Sequence, residues 1–229
     1  MEPIWSRPER APRGPRPAHS RDEVAAAAVR LADAEGLDAV SMRRVAAVLG
    51  AGTTSLYRYL KSKDELLDLM VDAVARQLDL PRRTGEWRAD LRALAAATRA
   101  AGLAHPWLPM VIAARPNLGP GMLRWSEAWF AAADGAGRSA DEVFGLVGTV
   151  QTFVHGSVMR ELAEREAGLE LGSWMAAQGS YGDSIISGGA YPALIRIMVE
   201  AKTPHRADRH DRIFSEGLEH VLDGYRPGG

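Results

Sequence analysis

The sequence has no cysteine. That excludes disulfides, thiolate metal sites and a thiol nucleophile, and it fits a chain living among reduced thiols. No apolar run approaches the roughly 20 residues needed to span a bilayer. The opening MEPIWSRPERAPRGPRPAHS lacks the apolar h-region of a secretory signal. These absences lead us to expect a cytoplasmic protein with no membrane partner. No stretch alternates with period two, so no strand is expected and the fold class reads as all-α. There is no glycine-rich phosphate loop followed by lysine and no H-E-x-x-H. His105, His155, Glu127, Glu161 and Glu164 match no metal-ligand spacing. No catalytic residue, metal or cofactor is therefore assigned.

What is present is an ordinary globular balance, 46% hydrophobic and 25% charged over 229 residues. The net charge of −1 hides an asymmetry. Up to Lys63 there are 11 basic and 7 acidic residues, and beyond it 17 and 22. A basic front and acidic back suit one part on phosphate and another facing solvent or a partner.

The chain is organised around SMRRVAAVLGAGTTSLYRYL, Ser41 to Leu60. Ser41 is a good N-cap, and Met42, Val45, Ala46 and Leu49 then recur at helical spacing. Gly50-Ala51-Gly52 ends that helix. Thr53 or Thr54 is expected to cap a second short helix from Ser55 to Leu60, with Leu56 and Leu60 on one face. The other face carries Thr53, Thr54, Ser55, Tyr57, Arg58 and Tyr59, groups suited to phosphates and base edges. Two turns with so polar a face bury little alone. They make sense as the second helix of a helix-turn-helix, held out by the first.

The run from Ser20 through Leu69 resembles the DNA-binding domain of the tetracycline-repressor (TetR) family. The matching residues are Leu31, Glu35-Gly36-Leu37, Ser41-Met42-Arg43-Arg44-Val45-Ala46, Leu49-Gly50, Ser55-Leu56-Tyr57, Tyr59, Lys61 and Lys63-Asp64-Glu65-Leu66-Leu67. The resemblance implies a ligand-responsive transcriptional regulator, a repressor in the usual case, bound to a palindromic double-stranded operator as a homodimer. It implies that Thr53, Thr54, Ser55, Tyr57 and Tyr59 face DNA and that Lys63 holds phosphate. Arg58 is the candidate for a bidentate guanine contact. The family often has an aromatic residue at the position of Arg58 and histidine at that of Tyr59, so a different operator sequence is expected. Arg43 and Arg44 would either hold backbone or remain solvated surface. The parent repressor binds its drug with magnesium, but no residues match that site, and neither drug nor metal is carried over.

Three parts are expected: a disordered basic arm over 1–19, the helix-turn-helix domain with its linking helix over 20–80, and a helical ligand-binding and dimerisation domain over 81–229. The arm, with Arg7, Arg10, Arg13 and Arg16, is either a DNA-reaching element or a solvated extension. Capping boxes Ser20/Glu23, Ser62/Glu65 and Ser139/Glu142 mark three helix starts. The helix over 139–166 is apolar nearly all round, and the one over 209–225 is striped. These two are expected to pair with a second subunit, the other possibility being a monomeric core. Gly145, Gly148 and Gly156 suggest a close neighbour along the longer one. An unidentified apolar or aromatic effector is expected among Trp107, Met110, Trp125, Trp129, Gln151, His155 and Met159. The rival reading is an all-α binding protein or enzyme that does not read DNA.

Overall fold

A computed structural model describes residues 3–7, 19–57, 60–168, 177–201 and 208–225. Its described residues hold eleven α-helices and no strand. Arg21–Glu35 (α1) starts at the expected capping box: the Ser20 hydroxyl accepts the Glu23 N–H at 3.1 Å, and the Glu23 carboxylate accepts the Ser20 N–H at 2.7 Å. Its inner face, Val24, Ala25, Ala27, Ala28, Leu31 and Ala32, is small enough for Lys63–Gln77 (α4) to come close. Met42–Val48 (α2) and Thr53–Leu56 (α3) complete the first core through Val45, Ala46 and Leu56, with Leu60 just beyond.

The second core joins Trp87–Ala104 (α5), Pro120–Asp134 (α7), Ala140–Ala167 (α8) and a terminal helix. Leu108–Ala114 (α6) packs instead into the first core, through Trp107, Leu108 and Val111. The boundary read at residue 80 is thus crossed by packing: the Trp107 indole N–H donates to Asp33 of α1 at 2.7 Å. Gly179–Gly188 (α9) and Pro192–Glu200 (α10) bury no residue and leave Tyr181, Ile186, Leu194, Ile197 and Val199 exposed. Arg209–Asp223 (α11) lays Phe214, Leu218 and Leu222 on α8. No described helix is long and apolar enough to cross a membrane.

Two local expectations are corrected. The arm is not disordered throughout: Ile4–Ser6 forms a 3-10 turn, Ile4 is buried in the first core, and Arg7 pairs with Glu65 at 2.6 Å. An apolar residue three places before a run of Arg and Pro is enough to anchor it, a signal that composition averages away. Residues 8–18, with Arg10, Arg13 and Arg16, lie outside the described residues. The Ser62/Glu65 capping box is half made. Ser62 accepts the Glu65 N–H at 3.3 Å, but the Glu65 carboxylate is drawn to Arg7 and to the Lys61 N–H at 2.7 Å. Among the described residues nothing lies within 4 Å of a Cβ added at Gly145, Gly148 or Gly156, so the close neighbour expected there is not one of them; the close approaches within the chain fall at Gly102, Gly119, Gly121 and Gly217.

Candidate nucleic-acid interface and effector cavity

The turn between α2 and α3 depends on Gly50, whose φ of +65° suits glycine. The Ala51 N–H reaches back to the Ala46 carbonyl at 2.9 Å and closes the helix end. Gly52, not a threonine, occupies the N-cap of α3, and no side chain caps it. The Ser55 hydroxyl donates to the Gly52 carbonyl at 2.6 Å. Leu56 and Leu60 are fully buried, which turns the opposite side outward. Tyr57 is 55% exposed, Thr54 is exposed, and Thr53 and Ser55 are half-buried. Arg58 and Tyr59 lie outside the described residues. Lys63 is exposed at the first position of α4. Arg43 is exposed on α2, whereas Arg44 is held by both oxygens of Glu35 at 2.7 and 2.8 Å. Arg44 is therefore a brace between α1 and α2.

Behind α4 lies a cavity of about 120 Å³, partly open to solvent. Its wall takes Val74 and Ala75 from α4 and Leu78 just past its end, Thr98 from α5, Ile112 from α6, Met122, Trp125 and Ser126 from α7, and Gln151 and His155 from α8. Trp125, Gln151 and His155 of the expected set meet there. The other four do not. Trp107 fills the joint with α1, Trp129 is sealed in the second core, Met110 is 58% exposed, and Met159 faces outward. Aromatic and methionine content marks core and pocket alike, so composition could not separate them. The α4 residues were missed because their periodicity reads only as core. Burial pushes the His155 pKa below its ordinary value, keeping the ring neutral. The other polar candidates are spent structurally: Glu161 pairs with Arg99 at 2.7 Å, Glu164 with Arg209, and His105 with Asp33 at 2.9 Å.

The α4–α7 contact is capped in both directions. Asp72 of α4, fully buried, accepts the N–H groups of Gly121 and Met122 at 2.7 and 3.2 Å, in the first turn of α7. Arg124 of α7 donates to the carbonyls of Ala75, Arg76 and Leu78 at the end of α4. Each helix thus satisfies end groups of the other that have no intrahelical partner.

A helix-turn-helix braced on a linking helix, with that helix walling a cavity in a second helical bundle, defines a DNA-binding regulator with a sensing domain. The chain belongs to the TetR family of transcriptional regulators. Residues 24–70 match the family "Bacterial regulatory proteins, tetR family", and residues 80–227 match "Tetracyclin repressor-like, C-terminal domain". The chain is similar to the transcriptional repressor DrrR1 of Streptomyces coeruleorubidus, at 38% identity over 98% of this chain and 83% of that protein. Among solved structures it resembles ActR of Streptomyces coelicolor in complex with actinorhodin (27% identity, 90% of this chain and 96% of that one, TM-score 0.72). A BioQ structure with its double-stranded DNA operator shares the fold (22% identity, 90% and 98%, TM-score 0.63). The family makes the chain a DNA-binding transcriptional regulator.

Proposed function

We propose that the chain works in the cytoplasm as a homodimer on a palindromic operator and lets go when an apolar or aromatic effector fills the cavity behind α4. The observation that carries this reading is the reach of α4, which begins six residues after Tyr57 and ends as cavity wall. Thr53, Thr54, Ser55 and Tyr57, with Arg58 and Tyr59 by resemblance, meet base edges in the major groove. Lys63 and Arg43 hold phosphate. An occupied cavity displaces α4 against α7, and α4 carries the reader turn with it. Passing from 99:1 to 1:99 requires the effector to prefer the released state by about 5.5 kcal/mol. ActR, crystallised with actinorhodin, supports a small-molecule effector.

Pairing through α8 and α11, the helices read over 139–166 and 209–225, is supported by their outer faces. Phe144 is 69% exposed, Ile213 is exposed, and Gly145, Gly148 and Gly156 present open backbone between them. An apolar surface of this kind marks an interface more often than free surface. The test is a titration of the full chain against the promoter DNA beside its own coding region at several salt concentrations. The expected result is tight binding to an inverted repeat, with log affinity falling by about 0.9 per phosphate neutralised for each unit of log salt. Binding that ignores both the repeat and the salt contradicts the proposal.

A further inference from the structure

Among the described residues the cavity wall has no charged side chain. Its body is Leu108, Ile112, Met122 and Trp125, and its polar groups are few. The Thr98 hydroxyl already donates to the Leu94 carbonyl at 2.8 Å. Gln151 and His155 are different. They stand at i and i+4 on α8, so their Cβ atoms lie roughly 5–6 Å apart on one face. Both border the cavity, both are half-buried, and neither hydrogen-bonds to another described residue. Half-buried polar side chains without partners are costly unless water or a ligand satisfies them. Gln151 offers two donors and an acceptor, and a neutral imidazole offers one of each.

An ammonium entering this space finds no carboxylate, and a carboxylate or sulfonate finds no cation. Either loses its hydration without compensation. The geometry points to an uncharged, largely apolar ligand bearing two hydrogen-bonding oxygens about a helical turn apart, selected by Gln151 and His155. This inference rests on the cavity being the effector site. The α8 pair would decide which apolar molecules are accepted, while the α4 and α7 walls sense that something is there. The burial that keeps His155 neutral agrees with it, since an imidazolium would invite anions instead.

Three fused-ring probes separate the possibilities: anthraquinone, neutral with two carbonyl oxygens; anthracene, with none; and anthraquinone-2-sulfonate, charged. Tryptophan-fluorescence titration of the full chain without DNA reads their affinities. The expected order places anthraquinone about tenfold or more ahead of each of the others, the scale of two modest hydrogen bonds. The double variant Gln151→Leu, His155→Phe should bind anthracene as before and lose the anthraquinone advantage; Gln151→Leu alone should lose part of it. Equal affinity for the sulfonate, an unchanged ratio in the variants, or no binding of any probe overturns the ligand class. The wild-type comparison stands even if the variants fold poorly. Ser126→Trp, which fills the cavity, tests the underlying site: if it binds anthraquinone like wild type, the cavity reading itself falls.

Discussion

Asp72 and Gly121 lock α4 to α7 at 2.7 Å, carboxylate to backbone N–H, and the fit tolerates no side chain at the glycine. A Cβ there would lie 2.6 Å from the Asp72 carbonyl oxygen and 2.9 Å from the Arg76 nitrogen. Gly121→Ala should therefore wedge the two helices apart and cost about 1–3 kcal/mol by overpacking. Asp72→Ala removes the acceptor from two buried N–H groups and a partner from Arg76, 3.2 Å away, and should cost about 3 kcal/mol. Urea unfolding measures both. Under the proposed switch both variants should also blunt the effector's influence on operator affinity more than effector binding itself.

Tyr57→Ala should abolish operator binding and leave the fold intact, because the ring is mostly in solvent while Leu56 and Leu60 hold the turn from beneath. A gel shift paired with a thermal melt reads both halves. Loss of binding with an unchanged melting temperature is the expected pair.

The strap at the N-terminus should matter more than its composition suggests. Ile4→Ala is expected to cost about 2–5 kcal/mol, the range for truncating a buried isoleucine. Among the described residues, Arg7→Ala leaves the buried Glu65 carboxylate with the Lys61 N–H alone, and it should also destabilise the protein. Both are read by urea midpoint.

Gly148→Leu is a clean probe of pairing. No described residue lies within 4 Å of the added Cβ, and leucine favours a helix over glycine by roughly 1 kcal/mol. A lone subunit should gain stability from it. If α8 pairs with its copy, the side chain blocks the approach instead, and light scattering should show monomers.

His155 gives the stability a pH slope of known sign. Its folded pKa lies below the ordinary 6.5, so the unfolded chain takes up the proton first. Its contribution is complete above about pH 6.5 and is lost as pH falls through the folded value. As pH falls through that window the urea midpoint of wild type should drop more steeply than that of His155→Phe, which lacks this component of the acid decline.

Most helix starts were legible because their signals are local. Ser20, Ser41 and Ser139 cap where the spacing put them, and Gly36 and Gly50 end helices at positive φ. The helix-turn-helix was legible because its apolar and polar faces alternate within twenty residues. The cavity was not, because its wall comes from five helices and only Trp125, Gln151 and His155 carry side chains distinctive enough to notice. Nor was the strap: Ile4 finds its core across a stretch whose average character is that of a tail. The Arg44–Glu35 brace and the Asp72 cap were hidden for the same reason, since ion pairs and caps between distant elements leave no periodic trace.

In the proposed complex two copies of the turn at Tyr57 enter successive major grooves. Varying the spacing between operator half-sites tests it most directly. Anisotropy titrations should show the tightest binding when the half-site centres lie about 34–36 Å apart, one turn of the duplex, and a collapse when five base pairs are inserted, which rotates one half-site to the far side. Affinity indifferent to that insertion would contradict the account.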